Sequence, residues 1–155
     1  MKTSSRRLRP GPDAVVAEVE VLVPFHDADP MNVVWHGNYF KYFEMARTAL
    51  EKRLGLTVTV LNDMGYICPV IESHCRHVSA MRYGDVGRCR AWVAAMDRRV
   101  TVAYELWNMT TGRRSAEGYT VQAALDRDTR EMLLEVPEGI ARIVRKAAGV
   151  PLSGH

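Results

Sequence analysis

Two aspartates, Asp27 and Asp29, lie in a short polar loop just before a segment of helical character. The loop reads HDADPMN over residues 26–32, and its turn-forming residues favour a conformation that exposes it to solvent. A helix that begins directly after such a loop offers unpaired backbone N–H groups and the positive end of its dipole. A carboxylate beside these donors could serve as a base or nucleophile, with the donors holding an anionic tetrahedral intermediate. The segment therefore has the parts for acyl transfer or hydrolysis.

The same loop has a simpler interpretation, in which both carboxylates are structural. An aspartate just before a helix is commonly a cap or a turn residue. Taken alone, the local pattern favours this structural interpretation over a catalytic one.

The elements that hold the loop follow from hydrophobic periodicity. Residues 14–25 alternate between apolar and polar side chains, which predicts a strand with one buried face. From about His36, apolar residues recur every three and four positions, which predicts a helix that Gly55 ends. The apolar face of this helix is wide enough to predict an embedded position; its members are Tyr39, Tyr42, Phe43, Ala46, Ala49, Leu50 and Leu54.

The remainder of the chain predicts mainly strands. A short second helix is expected near residues 61–64 and a last helix over residues 138–148. Between them we predict four strands, over residues 67–81, 87–97, 100–108 and 114–125. One strand, a buried helix and a run of strands indicate an α+β fold. Such a sheet leaves an unpaired edge, so we expect a dimer that continues the sheet.

Composition narrows the class of protein. The chain has 155 residues, 47% of them hydrophobic, and a net charge of +3, which disfavours nucleic acid but allows a phosphorylated small ligand. No apolar run is long enough to span a membrane. Residues 1–12 are basic and predict a disordered arm, and residues 13–150 a single domain. The three cysteines form no C-x-x-C pair, which argues against a disulfide framework or a zinc site. Cys68 and Cys75 are expected to be buried thiols, and a reducing cytoplasm suits them.

Residues 26–47 carry a resemblance to a known family. They read HDADPMNVVWHGNYFKYFEMAR, which resembles the active-site signature of 4-hydroxybenzoyl-CoA thioesterase-like hotdog enzymes, approximately D-x-D-x-x-G-V-V-[YW]-H-x-x-Y-x-x-[YF]-F-E-x-A-R. The order of elements over residues 14–148 fits as well. The matching positions are Asp27, Asp29, Val33, Val34, Trp35, His36, Tyr39, Tyr42, Phe43, Glu44, Ala46 and Arg47. The resemblance implies a hotdog fold, an antiparallel sheet wrapped around a central helix, in an enzyme that hydrolyses acyl-CoA or acyl carrier protein thioesters.

The sequence departs from the family pattern at Asn32, where the family usually has glycine. Glycine at this position suggests a backbone with positive φ, and asparagine is the next most tolerant residue of that conformation. We therefore expect the shape of the loop to be preserved.

The resemblance also implies roles for individual residues. Asp29 is expected to be the catalytic carboxylate, either activating a water or attacking the thioester itself, and the His36 backbone N–H to be the oxyanion donor. The His36 side chain is expected to pack or orient rather than to transfer protons. Asp27 is expected to organise the loop as a hydrogen-bond acceptor. Glu44 is expected to make a structural hydrogen bond or to pair with Arg47 or another base, which we prefer to a second active-site carboxylate facing a partner subunit.

We expect the protein to contact both the acyl end and the CoA end of the substrate. Val34, Trp35 and Tyr39 are candidates for the acyl end, although Tyr39 can equally be core. For the CoA phosphates, Arg98 and Arg99 are preferred among the arginines of the later strands, the others being Arg76, Arg82, Arg88 and Arg90. The resemblance implies no metal or other cofactor, and a homodimer or a dimer of dimers. The acyl group stays open.

Two other functions compete with thioester hydrolysis. Hotdog dehydratases place their catalytic histidine before a Pro-Gly-rich helix start, and the stretch around His36 lacks that proline. The second alternative is a non-catalytic hotdog protein that binds acyl thioesters or builds an assembly. Retention of Asp29 argues against it.

Overall fold

A computed structural model describes residues 8–149 and contains a five-stranded antiparallel sheet curved around one long helix. A 3-10 turn, Phe25–Asp27, precedes that helix. The elements are β1 (Val16–Leu22), α1 (Asn38–Leu54), α2 (Val58–Asp63), β2 (Tyr66–Ile67), β3 (Val70–His77), β4 (Val86–Met96), β5 (Val100–Asn108), β6 (Arg113–Gln122), β7 (Leu125–Asp126) and α3 (Glu138–Ala147).

The strands of the main sheet follow the order β1-β4-β5-β6-β3, and all neighbours are antiparallel. The strands β2 and β7 form a separate two-stranded sheet. One face of the main sheet packs on α1, mainly through β1 and β4. This arrangement confirms the α+β class and the hotdog fold that the resemblance implies.

The core forms where the apolar side of α1 meets the concave face of the sheet. Phe43 stacks on Tyr104 of β5, with ring centroids 4.6 Å apart and an interplanar angle of 7°. Opposite them lies Gly118, where a Cβ would stand 2.8 Å from the Phe43 ring, so glycine permits the helix to approach β6. Burial of one such aromatic side chain contributes roughly 1.5–3 kcal/mol, which is why α1 is fixed against the sheet.

The predicted elements correspond closely to the observed ones. Helix α1 ends where Gly55 adopts a left-handed conformation with φ 69°, as predicted. The strand predicted over residues 67–81 is divided into β2 and β3, because Pro69 between them has no N–H to donate to a ladder. Of the three cysteines, Cys89 is fully buried, whereas Cys68 and Cys75 are only half-buried, contrary to our expectation.

The ends of the chain are described only in part. Residues 1–7 of the predicted arm, and residue 150 of the predicted domain, lie outside the described residues. Within the arm, the Leu8 carbonyl accepts a hydrogen bond of 2.7 Å from Trp92 Nε1 on β4. In the described part of the chain, no helix is both long and apolar enough to cross a membrane.

Candidate active site

Asp29 anchors the tight turn between β1 and α1. Its backbone N–H donates to the Val33 carbonyl (2.8 Å), and its carbonyl accepts from the Asn32 N–H (2.9 Å). Its carboxylate Oδ1 accepts from the Met31 N–H at 2.8 Å and from the Val33 N–H at 3.4 Å. Within residues 8–149 no hydrogen-bond donor reaches Oδ2. One oxygen therefore holds the turn, and the other is available for chemistry.

Asn32 adopts the left-handed conformation, with φ 64°. This confirms the expected loop shape at the one position that departs from the family pattern. Asparagine tolerates the conformation because its short polar side chain can compensate locally for the steric cost of a Cβ.

Asp27 is buried and ties the loop to α1. Its Oδ1 lies 2.5 Å from Lys41 Nζ, and its Oδ2 accepts a hydrogen bond of 2.7 Å from the Tyr42 hydroxyl. Its backbone carbonyl accepts from the Trp35 N–H (2.9 Å) and from Asn38 Nδ2 (3.0 Å). These contacts agree with the loop-organising role expected for Asp27. The contact with Lys41 was not predicted from the sequence.

The electrostatics of this cluster keep Asp27 ionised. Burial raises the pKa of Asp27, but the hydrogen bonds from Lys41 and Tyr42 and the Lys41 charge outweigh it, so the pKa lies below its usual value. Burial, together with the Asp27 carboxylate, raises the pKa of Tyr42 far above that of a free tyrosine. At neutral pH Asp27 is therefore ionised and Tyr42 keeps its proton.

The start of α1 presents free backbone donors. The helix begins at Asn38, whose N–H donates to the Trp35 carbonyl at 2.9 Å, and the N-cap residue Gly37 has no side chain to cap it. In the described part of the chain, the N–H groups of His36 and Gly37 have no acceptor. A Cβ on Gly37 would lie 2.2 Å from the Trp35 ring, so glycine lets the indole fold over the helix start.

Val34, Trp35 and Tyr39 surround these donors. Met81 links two of them, because its carbonyl accepts from the Val34 N–H (2.8 Å) and its N–H donates to the Tyr39 hydroxyl (3.2 Å). Val34 and Tyr39 are buried, whereas Trp35 is half exposed and its ring lies 5.0 Å from that of His36. Trp35 is thus the member of this group most open to a ligand.

His77, at the end of β3, joins the site from a distant part of the sequence. Its ring lies 5.0 Å from the Tyr39 ring and 6.4 Å from the His36 ring, edge-on to both. Burial and the neighbouring His36 lower the pKa of His77, which favours the neutral imidazole. Cys75 Sγ lies 4.0 Å from His77 Nδ1, but burial raises the pKa of Cys75 to about 11, so it is a thiol rather than a thiolate at neutral pH.

Arg98 and Arg99 do not converge with Asp29 within the chain. They occupy the β4–β5 turn, next to Val100, which lines a small apolar cavity with Leu54 at the C-terminal end of α1. The 17-residue helix is ~25 Å long, so this turn and the helix start lie at opposite ends of it.

Arg82 directly follows Met81, whose backbone contacts Val34 and Tyr39 beside the helix start. It adjoins Met81 and Tyr83, and the Tyr83 ring packs edge-on against Phe25 at 5.6 Å. Among the described residues its side chain has no ion-pair partner, whereas three other candidates are paired, Arg76 with Glu117, Arg88 with Glu18 and Arg90 with Glu105.

Glu44 pairs with Arg47 on the adjacent turn of α1, at 2.6 Å. Arg47 Nε also lies 3.3 Å from Glu51, so the two carboxylates share one guanidinium. These contacts agree with the structural pairing that we preferred for Glu44.

Comparison with known proteins identifies the family. Residues 31–114 match the thioesterase superfamily, more than half of the chain, beginning two residues after Asp29. A Bacillus subtilis (strain 168) protein named "Putative acyl-CoA thioesterase YneP" is 26% identical over 115 residues, covering 74% of this chain and 83% of that protein.

Solved structures agree with this match. A DHNA-CoA thioesterase from Staphylococcus aureus is 26% identical, with a TM-score of 0.71 over 77% of this chain and 80% of that one. The hypothetical protein TT1821 from Thermus thermophilus is also 26% identical, with a TM-score of 0.74 over 83% of this chain and 96% of that one. The chain belongs to the thioesterase superfamily and is a thioesterase of the hotdog fold.

Proposed function

We propose that the protein hydrolyses acyl-CoA or acyl carrier protein thioesters to the free acid and the thiol, with Asp29 as the catalytic carboxylate. The observation that carries this proposal is the state of the Asp29 carboxylate, which has one oxygen bound in its turn and one available, just before a helix start with unpaired donors. The names of the similar proteins, an acyl-CoA thioesterase and a DHNA-CoA thioesterase, support CoA as the thiol.

In this mechanism the His36 N–H binds the thioester carbonyl oxygen and stabilises the negative charge that develops there. Asp29 Oδ2 then follows one of two routes. As a base it takes a proton from a water that attacks the carbonyl carbon; as a nucleophile it attacks that carbon itself and forms a mixed anhydride. The C–S bond breaks in both routes, the departing thiolate gains a proton, and a water supplies the new oxygen of the acid or resolves the anhydride.

The substrate-binding residues follow from the surroundings of this centre. We propose that the half-exposed Trp35 contacts the substrate beside the helix start, with Val34 and Tyr39 supporting it from the core. For the CoA phosphates, the position of Arg82 supports it as a candidate in addition to Arg98 and Arg99. The latter pair can serve only if a second subunit brings the β4–β5 turn to the site.

A homodimer through β3 is part of the proposal. In the described part of the chain β3 is an edge strand, and all of its side chains except Cys75 are exposed. An open edge is a template for pairing, and a second copy of β3 would close it by two-fold symmetry. Because His77 lies on this strand, the dimer interface would border the site. Molar mass from light scattering tests this, with Ile71→Lys as the variant that should yield monomers.

The catalytic role of Asp29 is tested by release of free thiol from a panel of aliphatic and aromatic acyl-CoA substrates. Asp29→Asn keeps an oxygen that can accept from the Met31 N–H, so the turn should persist while the charge is lost. We expect kcat to fall by roughly 10²–10⁴-fold, as for loss of a positioned general base. Asp29→Ala removes the turn contact as well and should also lower stability. Thiol release by Asp29→Asn at the wild-type rate would exclude the mechanism.

A further inference from the structure

A second concavity, of about 430 Å³, opens on the face of the sheet that points away from α1. Its floor is formed by the outward side chains of β3, β4, β5 and β6, and residues 8–10 border it. The hydrogen bond between Trp92 Nε1 and the Leu8 carbonyl holds these residues against the sheet. We call this feature the outer groove; the sheet separates it from the loop of Asp29.

The outer groove carries an excess of positive charge. Four arginines line it, Arg9, Arg76, Arg90 and Arg114, against only two carboxylates, Glu105 and Glu117. Two carboxylates cannot neutralise four guanidinium groups, so two positive charges are left over for an anionic ligand.

The carboxylates hold three of these arginines in place. Glu117 lies 2.9 Å from Arg76 and 3.2 Å from Arg114. Glu105 lies 3.6 Å from Arg90 and 3.9 Å from Arg114, so Arg114 bridges the two glutamates. Each guanidinium has five N–H donors, and these contacts engage only some of them. The remaining donors are therefore pre-positioned for an anion, which reduces the ordering cost of binding.

Aromatic rings stand beside the charges. The Arg90 guanidinium lies 5.9 Å from the centre of the Trp92 ring, and the His74 ring stacks on the Tyr119 ring at 5.3 Å and 26°. Trp92 itself is buried, so the exposed His74 and the half-buried Tyr119 supply the ring surface that a ligand can reach. Flat rings next to guanidinium groups suit a ligand that has a planar aromatic part as well as a negative charge.

We propose that the outer groove binds a nucleoside monophosphate or a similar organic phosphate that carries a planar ring. The phosphate would accept hydrogen bonds from Arg90 and Arg114, and the ring would lie on the His74–Tyr119 pair. The volume is within the range typical of small-molecule sites. A second copy of this chain is a poorer occupant, because two-fold pairing of the groove with itself would bring two positive surfaces together.

Isothermal titration calorimetry of the full chain with AMP, adenosine and inorganic phosphate tests this proposal. We expect AMP to bind, and adenosine and phosphate each to bind at least tenfold more weakly, because each lacks half of the recognised chemistry. Arg114→Gln should weaken AMP at least tenfold, and Arg90→Gln is a second variant should the first fail to fold. Arg88→Gln is the matched control. Like Arg90, Arg88 lies on β4, but it pairs with Glu18 at 2.6 Å and does not line the groove.

Three results would overturn the proposal. These are no heat of binding with millimolar AMP, equal affinity for AMP and phosphate (an adventitious ion only), and unchanged AMP affinity in both arginine variants. A failure of thioester hydrolysis itself would leave these binding measurements unaffected, so the two proposals can be separated.

Discussion

The turn that positions Asp29 depends on a left-handed residue, and substitution of that residue should separate the shape of the loop from its chemistry. A β-branched residue at the φ of 64° seen for Asn32 is a steric outlier. The left-handed conformation costs an ordinary residue about 1–2 kcal/mol, and a β-branched one lies at or above the upper end of that range. We therefore assign Asn32→Val a strain of ~2 kcal/mol.

This strain can be relieved by a change of the turn, because the turn over residues 29–33 is closed by the hydrogen bonds of Asp29. Each 1.4 kcal/mol corresponds to a factor of ten in an equilibrium, so ~2 kcal/mol lowers the population of the productive turn by roughly 30-fold. We expect kcat/KM for thioester hydrolysis to fall by about the same factor. Asn32→Gly should keep wild-type activity, since glycine adopts this conformation at no steric cost.

Arg130 provides a matched control, because it too has a positive φ, of 65°, in a turn that follows β7. Arg130→Val should introduce a comparable strain, measured as a lower midpoint of urea unfolding, but leave kcat/KM unchanged. Steady-state thiol release for the three variants is the assay. If Asn32→Val retained kcat/KM within twofold of the wild type, the claim that this turn aligns the catalytic carboxylate would be wrong.

Two further predictions concern the Asp27–Tyr42 hydrogen bond and His77. Tyr42→Phe leaves the buried Asp27 Oδ2 without its donor, so urea unfolding should show a loss of about 1–3 kcal/mol, whereas Tyr83→Phe at the exposed rim should show almost none. Because the folded-state pKa of His77 is lowered, the unfolded chain binds its proton more readily; stability should therefore fall as pH drops through the unfolded pKa of about 6.5 towards the folded pKa. His77→Gln should remove this part of the pH dependence of unfolding, and an unchanged pH profile would show that His77 is not its source.

The sequence predicted those features whose causes are local. The apolar period and Gly55 placed α1, because helix termination depends on a few neighbouring residues. The left-handed position of Asn32 was expected from the resemblance, because the family pattern usually has glycine there. The role of Asp27 as an acceptor was anticipated as well. Its partner Lys41 was not, because the direction in which a helical side chain meets a loop fourteen residues earlier depends on the angle at which the chain enters α1.

Features that depend on strand pairing could not be read from local patterns. His77 reaches the helix start only because β3 pairs with β6 at the edge of the sheet. The residues around His77 in the sequence do not predict this position. The preference for Arg98 and Arg99 rested on their being adjacent in a turn. Which end of α1 that turn faces is set by the register of β4 and β5, with Met96 opposite Val100.

The two aspartates of the loop, only two residues apart, occupy opposite environments, and this difference supports the choice of Asp29 over Asp27. The 3-10 turn Phe25–Asp27 directs the Asp27 side chain into the protein, where Lys41 and Tyr42 engage both of its oxygens and lower its pKa. A carboxylate held in this way is a poor base and a poor nucleophile, because any reaction must first break its ion pair. The extended residue Ala28 then reverses the direction, so Asp29 points out of the core and has no cation beside it in the described part of the chain. The same short sequence thus supplies a fixed charge that holds the loop and a second carboxylate left available to react.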